Sequence, residues 1–399
     1  MARRPLQGVR VADFSWYAAG PFATLMLGML GAEVIRIESR TKRDTHRKEH
    51  PIYGRDYVPA FDQLLSHRLS ASLNLRTPRG QELARELAAR SDVVVENFRP
   101  GVMARLGLDY PVLSARRSDL VMVSLSANGQ QGPDAARPGY APLFSALSGL
   151  SSLGGYPDGP PVEMRNPMDH VCGLFGTFAV LAALRQRQVT GRGQYVDLAN
   201  RDAATLLAGH AFVERTVSGR APERTGDREA GAEPSGVYRC AGTDRWVAVS
   251  VRTEESWQRL CGLLERPEWT VDPALGTVAG RAGRRADIDP ALSGWTSRRG
   301  PYGAAFALQQ RGIPAVPVMS GEDLARDPHL WERGTVRMAR DPERGEHLSV
   351  GPPWRFSRSA LPPVQWSPSI GQDNRYVYGQ VLGLSDEEID ELETSEVLH

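Results

Sequence analysis

Cysteine is scarce in this 399-residue chain: Cys172, Cys240 and Cys261 are its three, far apart and without CxxC spacing. That argues against a disulfide framework and against a zinc site. Lysine is scarcer, Lys42 and Lys48 being the only ones beside many arginines, and codon bias suffices as the reason. Excess charge is lacking too. With a net charge of +1, no global field draws the chain to nucleic acid or membrane, so a polyanionic ligand needs a local cluster. The longest apolar run, Leu174 to Leu184, falls short of the ~18 to 20 residues of a spanning helix and ends in Arg185. Met1-Ala2-Arg3-Arg4-Pro5-Leu6 leads into a strand pattern instead of a signal-peptide apolar segment, which makes the expected location cytoplasmic. No GxGxxG follows the first strand, and GxSxG, HExxH and the P-loop pattern are absent. These absences argue against a serine hydrolase, a zinc protease and an NTPase.

What is present reads as ordinary globular protein, 41% hydrophobic and 24% charged. The length exceeds one compact core and predicts a large domain with a smaller one. The first half alternates strand-like and helix-like segments. A short apolar run, Val9 to Phe14, precedes a helix from Pro21 to Met29 that stops at Gly31. Glu33 to Glu38 is a second strand, Asp92 to Glu96 a third, Leu120 to Leu125 a fourth and Tyr195 to Leu198 a fifth. Between them Gln81 to Arg90, opened by Thr77-Pro78, reads as a helix, and Val102 to Leu106 begins another. This rhythm predicts an α/β fold with a parallel sheet, whose ligands sit at the carboxyl ends of the strands. Gly173 to Leu184 reads as an apolar helix. Ser218 to Ser235, rich in Gly, Pro, Arg and Glu, reads as a linker. Val237 to Cys240 and Trp246 to Val251 read as a hairpin, followed by a helix from Ser256 to Leu264. The chain is extended again around Gly312 to Pro317 and ends in an acidic helix, Asp386 to Leu392.

Three features bear on chemistry. Small residues after the first strand, Ser15 to Pro21, can bring backbone N–H groups to an anion, or form a tight strand–helix turn. The basic run Arg36, Arg40, Lys42, Arg43, Arg47 and Lys48 follows the second strand. Singly each reads as a solvated side chain, and as a group they form a phosphate-gripping patch. Asp169, just before the apolar helix, reads as an N-cap on residue pattern alone, and the adjacent His170 as a packing histidine.

Taken in order, several segments resemble the class III CoA-transferase family, which includes formyl-CoA transferase, carnitine CoA-transferase and 2-methylacyl-CoA racemase. They are Leu6 to Asp13, Ala19-Gly20-Pro21, Leu30 to Glu38, Leu73 to Gly80, Asp92 to Gly101, Thr190 to Gln194 and the closing stretch Gly371 to Leu392. The resemblance covers nearly the whole chain. It implies a Rossmann-like parallel-sheet large domain plus a smaller α+β domain in an interlocked homodimer. The expected large domain is 1–200, with a linker at 201–234, a small domain at 235–315, a second linker at 316–334 and a return to the large domain over 335–399.

The resemblance makes Asp169 the nucleophile that carries first the acyl group and then CoA. It implies CoA or acyl-CoA as substrate with no permanently bound cofactor or metal, and a small carboxylic acid as the other partner. The matching CoA-binding positions are Tyr17, Ala18, Ala19, Asn97, Phe98 and Arg105. Arg40 and Arg43 are the candidates for the nucleotide phosphates, since Ser39 stands where some relatives carry Arg. Trp16 and Tyr140 are expected at the substrate pocket, with core packing as the other reading for Tyr140 and Phe98. Where racemising relatives have Gly-His-Asp, this chain has Gly139-Tyr140-Ala141, so one base is missing and transfer is favoured over racemisation. Gly231 to Gly236 lacks the glycine run of formyl-CoA transferase, which disfavours oxalate. The alternatives are an acyl-CoA racemase or isomerase, and a noncatalytic CoA-binding protein of the same fold.

Overall fold

The apolar run after Val9 becomes strand β1 (Arg10–Asp13), and the small residues after it turn into helix α1 (Ala19–Met29). This computed structural model describes residues 3–45, 47, 59–164, 166–341, 345–360 and 362–399, so Lys48 lies outside the described residues. Strand β2 (Glu33–Glu38), helix α2 (Pro59–Leu65), strand β3 (Leu69–Ser72), helix α3 (Pro78–Ala89) and strand β4 (Val93–Glu96) follow. Helix α3 starts where Thr77 caps Gly80 N–H and Pro78 occupies the first turn, the punctuation its sequence carries. Strand β5 (Val121–Ser126), helix α4 (Ala141–Leu147), the long helix α5 (Asn166–Thr190) and strand β6 (Gln194–Ala199) complete the motif.

The six strands form one sheet in the order β3-β2-β1-β4-β5-β6, with every pair parallel. Val94 and Val95, like Val121 and Val123, are fully buried, as expected of strands covered on both faces. The strand order reverses direction between β1 and β4. In open α/β sheets that reversal leaves a crevice at the carboxyl ends, and here it lies between the turn after β1 and the turn after β4.

Three sequence expectations are corrected. Strand β3 and helix α2 were not anticipated, because Leu69-Ser70-Ala71-Ser72 has no β-branched residue and sits at a sheet edge. The apolar helix was expected from Gly173; it starts a full two turns earlier, at Asn166, so Asp169 lies inside its first turn and not before it. At this length α5 is apolar enough to cross a membrane by length and composition, yet one face of it packs on α1 and β5. Two glycines permit that approach. A Cβ at Gly173 would stand 2.7 Å from the Ala19 carbonyl oxygen, and one at Gly176 would stand 2.7 Å from Leu125.

The chain divides into two units, Met1–Ser151 with Glu163–Ala221 and Pro328–His399, and Ser152–Val162 with Pro222–Asp327. The stretches expected as linkers hold regular structure. Within 201–234 most of helix α6 (Asn200–Leu207) and all of α7 (Gly209–Ser218) precede the irregular part, and 316–334 contains Gly321–Arg326 and Pro328–Arg333. The second unit carries an antiparallel sheet in the order β7 (Ser235–Arg239), β8 (Trp246–Ser250) and β9 (Ala315–Pro317). Its core gathers around fully buried Trp257, Leu260 and Ile288.

Candidate active site

At the reversal point the two turns are tied by one amide. Asn97 accepts the Trp16 N–H at 2.7 Å through Oδ1 and donates Nδ2 to the Trp16 carbonyl at 2.6 Å. Asn97 therefore holds the turn after β1 with both ends of its side chain. Beneath it the buried Asp13 accepts from Ser15 N–H at 2.9 Å, Thr24 Oγ1 at 2.8 Å and Arg68 Nη1 at 3.0 Å. Tyr17 adopts a φ of +59°, a left-handed conformation costly for a bulky side chain. Its N–H donates to Asp44 at 3.1 Å. Helix α1 begins at Ala19 without a side-chain cap, so its first-turn amides remain for other acceptors.

These turns open on a cavity of about 630 Å³. Of the expected site residues, Trp16, Tyr17, Ala18, Ala19, Asn97, Phe98, Tyr140 and Asp169 all line it. The rings of Tyr17 and Tyr140 meet edge to face with centroids 5.3 Å apart, and their hydroxyls lie 3.4 Å from each other. The hydrogen bond to Tyr140 and then burial push the Tyr17 hydroxyl up to about 12. Trp16 stacks edge-on with Phe98 at 6.1 Å, and Lys42 Nζ lies 5.4 Å from the Trp16 ring centre.

The arginines sort differently from the sequence expectation. Arg40, Arg43 and Arg105 are exposed and are not on the cavity wall; Arg40 donates to the Ile370 carbonyl at 2.9 Å. Arg36 and Arg47, read as part of a phosphate patch, are buried in ion pairs. Arg36 meets Asp44 at 2.6 Å and Glu38 at 3.3 Å, while Arg47 meets Glu38 at 2.8 Å. Burial opposes the charge of Glu38, but the two guanidiniums overcome it and hold the carboxyl down near 2. The cations that do line the cavity are Lys42, Arg76, Arg99 and Arg137. Arg76 lay within the matched stretch Leu73 to Gly80, and nothing in its spacing distinguished it from its neighbours. Ser126 and Asn200 also line the cavity and were missed, although the end of a buried strand run is where a parallel sheet presents its ligand contacts.

Asp169 is half-buried on the wall. Among the described residues none gives its carboxylate a hydrogen bond or an ion pair. The helix N-terminus favours the anion, yet burial outweighs it and raises the carboxyl to about 6. Cys172, one turn on, is pushed up to about 12 by burial and by the nearby Asp169 charge. His170 packs edge-on against Phe22 at 4.5 Å, in keeping with a packing histidine. Glu96, under Phe98, is raised by burial to about 7 and accepts the Phe98 N–H at 2.7 Å. Among the described residues no three His, Cys, Asp or Glu side chains gather as a metal-ligand set.

The sequence model of CoA-transferase family III matches residues 6–374. The chain is similar to succinyl-CoA–D-citramalate CoA-transferase of Chloroflexus aurantiacus, with 31% identity covering 99% of this chain and 98% of the relative. It is also similar to formyl-CoA:oxalate CoA-transferase of Escherichia coli, with 30% identity over 96% of this chain and 97% of that enzyme. Among solved structures, a CAIB/BAIF family protein from Brucella suis superposes with a TM-score of 0.87 at 28% identity, covering 95% of this chain and 99% of that one. A family model that spans nearly the whole chain, with relatives matched over almost their full length, places it by descent: the protein belongs to CoA-transferase family III.

Proposed function

We propose that the protein moves CoA from an acyl-CoA donor to a carboxylic acid through covalent intermediates on Asp169. The observation that carries this reading is the Asp169 carboxylate, half-buried on the cavity wall, unpaired among the described residues and raised to about 6. Such a group is anionic at neutral pH but under-solvated, which makes it a stronger nucleophile than a surface aspartate.

The steps balance without a net proton. An Asp169 oxygen bonds to the thioester carbonyl carbon and the C–S bond breaks, giving a mixed anhydride and CoA thiolate. The thiolate then bonds to the Asp169 carbonyl carbon and the donor acid leaves as its carboxylate. An acceptor carboxylate attacks the aspartyl thioester, regenerating an anhydride and thiolate. The thiolate finally takes the acceptor acyl group and frees Asp169. Each tetrahedral intermediate bears an oxyanion, and a single preorganised donor is typically worth about 3 to 4 kcal/mol. The uncapped amides at the start of α1, on the wall at Ala18 and Ala19, suit that task. Phe98 and Trp16 supply apolar wall for the pantetheine arm, and Lys42 and Arg76 supply charge for phosphates. Tyr140 takes the place of the second base a racemase needs, which supports transfer.

The reading includes a homodimer. Its support is an unpartnered apolar face on α5, where Leu174, Phe178 and Val189 are exposed, with Phe212, Val213 and Val217 on α7. Cytoplasmic residence and independence from a bound cofactor belong to the same proposal. The test is intact-protein mass spectrometry after mixing with a panel of acyl-CoAs, followed by peptide mapping. A CoA-sized adduct on Asp169, exchanged into a free acid and absent from Asp169→Asn, is expected. Solvent deuterium at the α-carbon with no CoA exchange would replace transfer by isomerisation.

A further inference from the structure

The helix Asp386–Thr394 ends in a turn that sends the chain back into the core. Glu396 takes a left-handed φ of +58°, and the Val397 and Leu398 N–H groups both donate to the Leu392 carbonyl, at 2.9 and 3.0 Å. Val397 and Leu398 are buried in the core cluster that holds Ile37 and Leu73. From this anchorage the segment 396–399 reaches two loops of the cavity wall, 39–42 after β2 and 74–76 after β3. Each loop brings one cation to the cavity, Lys42 and Arg76 respectively.

On the first loop His399 Nε2 lies 2.9 Å from Thr41 Oγ1 and 3.3 Å from Ser39 Oγ, and the His399 carbonyl takes the Arg40 N–H at 3.4 Å. Ser39 Oγ in turn accepts the Lys42 N–H at 3.3 Å. On the second loop the Asn74 N–H donates to the Val397 carbonyl at 2.9 Å, and Asn74 Nδ2 donates to the Glu396 carbonyl at 3.3 Å. Asn74 Oδ1 then accepts the Arg76 N–H at 3.1 Å. The two connections share one form. In each, the segment touches a polar side chain, and that side chain holds the backbone N–H of the cation.

Loops at strand ends are the mobile part of a fold, and ordering them at the moment of binding subtracts from affinity. The loss is largest for a lysine, a point charge on a flexible stem. A loop fixed beforehand spares that loss. The Trp16 ring, 5.4 Å from Lys42 Nζ, guides the tip of the side chain, while the loop contacts guide its root.

We propose that the segment 396–399 is a positioning element for CoA, with His399 fixing Lys42 through Ser39 and Thr41, and with Glu396 and Val397 fixing Arg76 through Asn74. It rests on the reading that Lys42 and Arg76 supply charge for the CoA phosphates.

The experiment titrates the full chain with free CoA by calorimetry and measures steady-state turnover of an acyl-CoA. His399→Ala is expected to weaken CoA about fivefold and to raise KM by the same factor, with kcat within about twofold of the wild type. His399→Gln, whose amide can give or take the same hydrogen bond, should return to within about twofold of the wild type. A double-mutant cycle identifies the route. In a Lys42→Ala background His399→Ala should add less than about 1.5-fold, whereas in an Arg76→Ala background it should keep the full fivefold. An unchanged affinity in His399→Ala overturns the proposal, as does an equal effect in the two backgrounds or a loss confined to kcat. If His399→Ala gives no cooperative thermal melt, Thr41→Val, which removes the imidazole's partner, decides by the same cycle. CoA binding without this coupling removes the positioning role alone. No binding by the wild type, or none lost in Lys42→Ala, removes the phosphate reading beneath it.

Discussion

The Asp44 carboxylate holds the backbone of Tyr17 in place: its Oδ2 takes the Tyr17 N–H at 3.1 Å and Arg36 Nη2 at 2.6 Å. One buried ion pair thus reaches from the loop after β2 to a left-handed residue on the cavity wall. Asp44→Ala leaves Arg36 with Glu38 as its ion-pair partner among the described residues and removes the acceptor of the Tyr17 N–H. Removing one partner of a buried pair typically costs about 3 to 5 kcal/mol, so a fall of about 3 kcal/mol in unfolding free energy is expected from urea titration. A loss below about 1 kcal/mol would show that the pair does not brace this turn.

Exchange should follow the ionisation of Asp169. Burial raises its carboxyl to about 6, so the ionised form, the one that transfer through Asp169 needs, dominates above that pH and dwindles below it. The kcat/KM for an acyl-CoA is predicted to rise through about pH 6, level off above 7 and fall roughly tenfold by pH 5. A profile flat from pH 5 to 8 would contradict the burial of the reacting carboxylate.

The same burial predicts a stability effect of opposite sense to the catalytic one. The folded carboxyl holds its proton up to about 6, whereas the unfolded value is 3.8. The folded state therefore binds more protons between those values, and stability is lost as pH rises through them. Asp169→Asn removes the ionisation, so at pH 7.5 it should be more stable than the wild type by about 1 to 2 kcal/mol, discounted for partial exposure. That advantage should shrink at pH 4. Chemical denaturation at both pH values checks it, and a variant less stable at pH 7.5 would refute the sign.

Gly173 lets α5 touch α1 one turn beyond Asp169, with room for no Cβ beside the Ala19 carbonyl. Gly173→Val should cost about 2 to 3 kcal/mol by overpacking and displace the turn that carries Asp169. Thermal melting and turnover should fall together. Wild-type turnover in the valine variant would mean the helix crossing does not set the nucleophile.

Charge on the cavity wall and charge on the outer surface should separate in CoA binding. Lys42→Ala and Arg76→Ala are each expected to weaken CoA by roughly tenfold and to flatten its salt dependence. Arg40→Ala and Arg105→Ala, off the wall, should stay within about twofold. Calorimetry at two salt concentrations measures this, and the reverse ranking would restore the surface arginines as phosphate ligands.

Much of the architecture is legible in the amino-acid sequence. Strands such as Val93–Glu96 and Val121–Ser126 open on three apolar residues in a row because both faces of a parallel sheet are covered. Strand β3 was not legible: its alternating serines meet partners far away in sequence, Ser70 Oγ reaching Glu38 at 2.7 Å and Ser72 N–H reaching Asn374 at 2.9 Å. The turns around Trp16 and Asn97 were readable as segments, but not the reciprocal hydrogen bonds that join them.

The sequence by itself determined the parallel α/β rhythm and pointed to the family, since periodicity and ordered motifs are local properties of the chain. Asp169 stood out only through that resemblance, because its own residue pattern reads as a helix cap. Which arginine is interior and which is outside was decided only in three dimensions. Arg36, Arg40, Arg43 and Arg47 look alike in a row; two are drawn into buried ion pairs with Glu38 and Asp44, and two stay at the surface. The same holds for Asp169, whose carboxyl is raised according to how much water the packed helices and the cavity wall leave to it.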